Sequence, residues 1–599
     1  MSAQLDNASA RQRRASDPAL SAWVSANAGS GKTHVLALRV IRLLLTGAAP
    51  SKILCLTFTK AAAANMAERV FDRLSKWTQL DDSDLAADIV GAGAPKPGPA
   101  DLERARKLFA RVLETPGGLK IQTIHAFCER VLHLFPFEAN VPAAFRALDE
   151  RDSAVLRDLS QAHVFAGAER DVTLSEALAR VAAAVGAEGF APLIAETARL
   201  SDDFAAQGTP DAYARKLAER LGLKPGEDEA GIAREMLSVG AAVWKRWAQA
   251  LAQGSTNDRK LADVLTAAAA LNDDETRLPL YLNAFLTEKQ TPRKVLATRA
   301  TTERFPDIVF ALYEERDRLF ALLDKKRAAA AVARSRDLLL ISRACETAYR
   351  RAKADRSALD FDDLIAKTQN LFERGDAAWV LFKLDRGVEH ILVDEAQDTS
   401  RAQWSILAKL AEDFLSGMGV GAQGRTFFAV GDEKQSIFSF QGAEPHLFDE
   451  QRRFFARAHV NAKLPFVEQP LIHSFRSSPV VLDAVDKVFG VAEVWRGVSA
   501  ADPSAPPHAA IRDYPGLVEI WPTLALDPPP EPGEWKLPLD AQKLTHPSQV
   551  LADRIAEQIA RWTAPGSPER IIGGARRASS RRRSLARRRA EIAADRPER

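Results

Sequence analysis

Two short stretches of this 599-residue chain carry side chains whose types and spacing suit phosphate chemistry. The first is SANAGSGKT, residues 25–33, in which Gly29 and Gly31 leave the backbone free to turn its N–H groups toward phosphate oxygens. A helix opening at Lys32 would add the positive end of its dipole, Lys32 would reach the outer phosphates, and the Thr33 hydroxyl could ligate Mg²⁺. Ala26 replaces the first glycine of G-x-x-x-x-G-K-[ST], so the expected cradle is Ala26, Asn27, Ala28, Gly29, Ser30, Gly31, Lys32 and Thr33. A chance glycine/serine loop is the plain alternative, and the flanking strand and helix patterns speak against it. The second stretch is LVDEAQDTS, residues 392–400, where Asp394 can hold Mg²⁺ through water and Glu395 can polarise an attacking water. Alone it would read as a solvated acidic turn. Together the two predict a site for ATP and Mg²⁺.

Such loops need rigid supports. AWVSA (22–26), ILCLTFT (53–59), HILVDE (390–395) and TFFAVGD (426–432) are short runs rich in β-branched, aromatic and other apolar residues. Each ends in a polar or glycine-rich loop before a helical pattern. Strands alternating with helices predict a parallel α/β sheet, whose ligands lie beyond the carboxyl ends of the strands. From about 150 to 350 the chain turns to Ala, Leu, Arg and Glu at helical spacing, which predicts an inserted helical domain. Clustered Pro and Gly at 91–100 and 522–535 mark breaks. Leu551, Ile555, Ile559 and Trp562 share one helix face, after which hydrophobic periodicity stops.

An apolar content of 46% suits several cores and excludes disorder throughout. Cys55, Cys128 and Cys345 are too far apart in sequence for a metal knuckle or disulfide framework, which fits a reducing, intracellular setting. No signal-peptide core or long apolar window is present, so no membrane is expected. The net charge of +3 is misleading, because residues 571–599 carry 10 Arg against 3 acids and the remainder is slightly acidic. Any nucleic-acid reading must therefore rest on motifs.

Gln12, SANAGSGKT, LTFTKAAAANMAERV, IQTIHAFCERVL, LDFDDLI, LVDEAQDTS, VGDEKQSIFSFQGA and LIHSFRSS occur in that order between residues 12 and 478. The series resembles superfamily 1 helicases of the UvrD/Rep class. Its wording around residues 15–36 and 118–141 is most similar to the AddA subunits of bacterial helicase-nucleases that process double-strand breaks. The resemblance implies an α/β fold: a P-loop, RecA-like parallel sheet with a large inserted helical domain and an incomplete second RecA-like domain. The implied parts are domain 1A at 1–150 and 351–455, helical insertion 1B at 151–350, incomplete domain 2A at 456–565, and a disordered Arg-rich tail at 566–599.

The same resemblance implies roles at matching positions. Gln12 would read the adenine, although an exposed N-terminal glutamine would look the same. Gln435 would sense the γ-phosphate, and Arg476 would act as an arginine finger from the second RecA-like domain. Thr57, Phe58, Thr59, Thr123, His125, Phe438 and Phe440 would line one DNA strand, aromatic rings serving as stacking platforms. Burial in the core is the commoner fate of a phenylalanine; stacking is favoured for Phe440, and Phe58 stands open. His125 has no second ligand at metal spacing. Gln441 stands where the class carries an arginine, and Asn65 where many relatives carry an acid.

The implied activity is ATP-dependent 3′ to 5′ translocation on single-stranded DNA from broken duplex ends, beside an AddB-like partner subunit, in the bacterial cytoplasm near the nucleoid. Helicase and nuclease motifs expected after residue 480 are not found. The expectation is therefore a C-terminally truncated chain, with a tail from a broken reading frame, weak turnover and no nuclease. A catalytically silent ATP- and DNA-binding fragment is the alternative.

Overall fold

The computed structural model describes residues 2–199, 208–374, 379–380, 383–384, 387–415, 424–437, 439, 442–496, 498, 507–513, 515–524 and 547–564. Its centre is a six-stranded sheet built from β1 (Ser21–Ala26), β2 (Ile53–Thr57), β3 (Lys120–Thr123), β6 (His390–Val393), β7 (Thr426–Gly431) and β8 (Phe466–Leu471). The spatial order is β3-β2-β6-β7-β1-β8, and every pairing is parallel. A parallel sheet is covered on both faces, and β2, β6 and β7 are accordingly buried along their whole length.

Alternate residues of a strand point to opposite faces, which divides the core in two. Trp23, Leu54, Leu56, Ile391, Val393, Phe427 and Ala429 enter one cluster, closed by α6 (Ile124–Leu134) and the helices Phe361–Glu373, Arg401–Leu415 and His446–Ala462. There Phe427 stacks on Phe455 with 4.0 Å between ring centroids, and Trp23 on Trp404 at 5.7 Å. Ala22, Val24, Ile53, Cys55, Leu392, Phe428 and Val430 enter the other, closed by α2 (Lys32–Leu45), α3 (Lys60–Trp77), α4 (Asp82–Gly91) and α5 (Pro99–Glu114).

The chain leaves this body through β4 (Arg146–Ala147) and returns through β5 (Ala358–Leu359), which pair in parallel. Between them the described residues are helical apart from turns, ending in a 50-residue helix, Pro306–Asp355. These helices enclose a separate core around Trp244, Trp247, Tyr281 and Phe285. Asp258, 1% exposed, accepts hydrogen bonds from Ser255, Thr298 and Thr301 and ties two segments of this region together.

The chain divides into two compact units, Met1–Ser474 with Arg496–Pro503, and Phe475–Trp495 with Ser504–Arg599. The boundary expected at residue 456 needs correction: it falls inside the helix His446–Ala462, and β8 beyond it is the outer neighbour of β1 in the first sheet. Pro470 reads against a strand, but an edge strand tolerates its missing N–H. In the second unit, helix Pro479–Phe489 carries Asp486, whose Oδ1 lies 2.5 Å from His508 Nδ1. The helix Pro547–Thr563 has no buried residue, and Leu551, Ile555 and Trp562 on its apolar face are each more than a third exposed. The Arg-rich tail lies outside the described residues. Among the described residues no single helix is long and apolar enough to cross a membrane.

Candidate active site

The parallel sheet brings the carboxyl ends of β1, β2, β3, β6 and β7 to one edge, and each predicted motif up to Gln435 lies in the loop or turn that follows one of them. After β1 the chain turns through Asn27–Gly31, with Ser30 N donating to Asn27 O at 3.1 Å. Gly29 and Gly31 have φ of 74° and 92°, the left-handed region that a side chain disfavours. A Cβ on Gly31 would also stand 2.8 Å from Gln12 Nε2. Lys32 opens α2, which is buried without interruption from Val35 to Leu44 and so fixes the direction of its N-terminus.

Gln12 is buried, not an exposed glutamine, and its Nε2 donates to Ser30 O at 2.9 Å. Its helix, α1 (Ser2–Ala15), buries little besides Ala8, Gln12 and Ala15, so apolar contact alone holds it weakly. Two arginines of α2 do the rest. Arg39, wholly buried, donates to the carbonyls of Ala15, Asp17 and Leu20, and Arg42 donates to Arg13 O and Ser16 Oγ. Cationic donors at a helix C-terminus satisfy its free carbonyls and favour its dipole.

β6 carries the acids to the same edge, where Asp394 N donates to Leu56 O at 2.8 Å. Asp394 is 5% exposed, and burial, then the neighbouring Glu395 charge, push its carboxyl up to about 6. Glu395 adopts a left-handed backbone, φ 47°, uncommon for a side chain of this kind and typical of residues held for function. Lys32 Nζ donates to Glu395 Oε2 at 2.8 Å, joining two residues 363 positions apart. Gln397 Nε2 donates to the same oxygen at 3.0 Å, while its Oε1 accepts from Asp432 N at 2.9 Å. Gly431 is required beside it, since a Cβ there would lie 2.6 Å from Gln397 Oε1. Asp432 in turn accepts from Gln435 Nε2 at 2.5 Å, and Lys434 Nζ reaches Asn27 Oδ1 at 2.7 Å. The loops after β1, β6 and β7 are thus stitched together by side chains. Gln397, Asp432 and Lys434 escape the sequence reading; each lies inside a quoted motif, but only the strand order shows what it meets.

These residues fit a magnesium-bound triphosphate. Among the described residues, Asn27 Nδ2 and Ser30 Oγ are buried in the loop without a partner, a costly arrangement that phosphate oxygens would relieve. A divalent cation would offset the crowding of Asp394 and Glu395 that holds Asp394 toward its neutral form. Beside the first turn of α2, a cavity of about 420 Å³ is lined by His34, Arg69, Arg73 and Lys76 among others, adding positive charge next to the loop.

Thr57 and Thr123 face each other in the register of β2 and β3. The Thr57 hydroxyl is buried and donates to Thr59 O at 3.1 Å, while the hydroxyls of Thr59 and Thr123 cap α3 and α6 by accepting from Ala62 N and Ala126 N. All three hydroxyls therefore shape the loops that present Phe58 and His125. Phe58 is partly exposed, and the His125 ring lies 4.9 Å from that of Phe361, burial lowering its pKa. Phe438, Phe440 and Gln441 lie outside the described residues. Arg476 is exposed on the second unit.

The profile of the UvrD/REP helicase N-terminal domain matches residues 7–456. The chain is 28% identical over 508 residues to the AddA-type component of the ATP-dependent helicase/nuclease of Levilactobacillus brevis, covering 78% of this chain and 37% of that protein. It is likewise 28% identical over 504 residues to the protein of the same name from Desulforudis audaxviator, covering 78% and 38%. The chain thus spans less than two-fifths of the length of these relatives.

Proposed function

The chain belongs to the UvrD/REP helicase family, and on that premise we propose that it is the ATP-hydrolysing, DNA-translocating part of an AddA-like helicase that works 3′ to 5′ from broken duplex ends. The observation that carries the proposal is the contact of Lys32 with Glu395 at the shared edge of the sheet. It places a phosphate-binding cation against a general base, as hydrolysis of a terminal phosphate requires.

Lys32 exchanges Glu395 for phosphate oxygens, helped by the N–H groups of the Asn27–Lys32 turn. Thr33 and Asp394 hold Mg²⁺, which when bound neutralises charge on the departing phosphates. Glu395, freed of Lys32 but still bonded to Gln397, accepts the proton of the attacking water. Gln12 bonds the adenine edge, Gln435 reports on the γ-phosphate, and Arg476 supplies the arginine finger. The unit Met1–Ser474 acts as domain 1A with insertion 1B, and the second RecA-like domain starts near Phe475. Single-stranded DNA lies across Phe58, Thr59, His125, Phe438 and Phe440, and the partner is an AddB-like protein.

Glu395→Gln keeps the shape of the side chain and removes the base. The expected result is unaltered ATP affinity with hydrolysis reduced about a hundredfold or more, read by nucleotide binding and phosphate release on the same preparation. Undiminished hydrolysis would refute the assignment. Polarity is read by displacement of streptavidin from biotinylated oligonucleotides: release from 5′-biotin is expected, and release from 3′-biotin alone reverses the direction.

A further inference from the structure

Lys434 is a cation at this site to which the assignments above give no task. It sits in the loop after β7, and β7 lies between β6 and β1 in the sheet. Its loop therefore rises between the acids of β6 and the phosphate loop of β1. The backbone there is fixed from two sides. Asp432 N donates to Gln397 Oε1 at 2.9 Å, and the Asp432 carboxylate receives Lys434 N at 3.3 Å and Gln435 Nε2 at 2.5 Å. The Lys434 ammonium extends forward, donating to Asn27 Oδ1 at 2.7 Å and standing 3.9 Å from Asp432 Oδ1. Asn27 is itself 7% exposed, with its Nδ2 lacking a partner among the described residues.

A neutral amide oxygen is a modest acceptor for an ammonium. An ionised phosphate oxygen makes a charge-assisted bond roughly twice as strong. The lysine stem is flexible and its charge compact, so Nζ can change partners without moving the strand behind it. Direction follows from the neighbours: Gln397 links the Lys434 loop to Glu395, the residue that must face the phosphorus under attack. Lys434 thus approaches from the side of the terminal phosphate, whereas the inner phosphates are wrapped by the backbone of the Asn27–Lys32 turn.

We propose that Lys434 is a second phosphate-directed cation, which exchanges Asn27 Oδ1 for the terminal phosphate of a bound nucleoside triphosphate and draws the Glu433–Gln435 turn toward it. The inference rests on the reading of residues 25–33 and 394–395 as the ATP site. It gives the site a means of preferring triphosphate to diphosphate, and it gives Gln435 a reason to move when the nucleotide changes, since both residues share one 3-10 turn.

The test is equilibrium binding of fluorescent ADP and a fluorescent non-hydrolysable ATP analogue to the full chain with Mg²⁺. Lys434→Met keeps the stem and removes the charge; Lys434→Arg keeps the charge. Lys434→Met is expected to weaken the triphosphate analogue about tenfold and ADP less than twofold, with the thermal midpoint unaltered, and Lys434→Arg to restore most of the loss. Equal losses for both nucleotides, or no loss, would overturn the proposal, because a merely structural lysine cannot change the ratio. Lys32→Ala measured in parallel should weaken both nucleotides. If it weakens neither, the site reading itself fails, an outcome separate from the result at Lys434.

Discussion

Asp394 is the residue whose chemistry and stability oppose each other most clearly. Its carboxyl is 5% exposed beside Glu395, and its pKa rises from 3.8 to about 6. A group that binds its proton more tightly folded than unfolded loses stability as pH rises through the interval between the two values, here about 4 to 6, and the loss persists above it. Asp394→Asn removes the charge and is expected to raise the thermal midpoint at pH 7.5, by up to about 2 to 3 kcal/mol of unfolding free energy. The gain should vanish near pH 4, where both forms are neutral, and hydrolysis should be lost at every pH. Thermal unfolding across pH 4 to 8 measures this, and equal midpoints at pH 7.5 would contradict it. Gly31→Ala tests the cradle next door. Its Cβ would meet Gln12 Nε2 on a backbone with φ 92°, so a lower ATP affinity is expected in a protein that still folds. A normal affinity, read by nucleotide titration, would show that the turn has room to spare. Most of these residues are legible in sequence because phosphate binding demands glycine, lysine and a hydroxyl within one turn. Gln397 and Lys434 are not, since their partners lie 35 and 407 positions away and become neighbours only through the strand order.

At the scale of elements, the short polar helix α1 depends on α2. Arg39→Met would leave carbonyls of Ala15, Asp17 and Leu20 without donors, at a cost of about 2 to 4 kcal/mol, and would loosen Gln12 from Ser30. Denaturant unfolding together with the KM for ATP checks both expectations: stability falls and KM rises. Unchanged values would mean that packing holds α1 unaided. The insertion offers a control. Asp258→Ala deletes five hydrogen bonds from Ser255, Thr298 and Thr301, and hydrogen exchange should accelerate there while ATP affinity stays the same. The central strands are readable as continuous apolar runs ending in motif loops, the mark of strands buried on both faces. β8 is not, because FVEQPL alternates with polar residues and contains Pro470, features that only an edge position explains. Motif order alone makes the hydroxyls of Thr57, Thr59 and Thr123 candidate DNA contacts, while the structure engages them in local turns and caps that such order cannot reveal.

For the whole molecule, the division at Ser474 predicts where a protease should act. Limited digestion is expected to leave a resistant fragment ending close to residue 474, whereas an end near 455 would separate β8 from the sheet it borders. That first unit holds every sheet loop invoked for ATP and DNA, so nucleotide chemistry and strand binding share one rigid support. The most direct measurement is therefore steady-state ATP hydrolysis by the full chain, titrated with single-stranded DNA, beside Lys32→Ala. The expected result is turnover that rises with DNA and disappears when Lys32 is replaced. Turnover indifferent to DNA, or surviving in Lys32→Ala, would contradict a motor driven from this edge of the sheet.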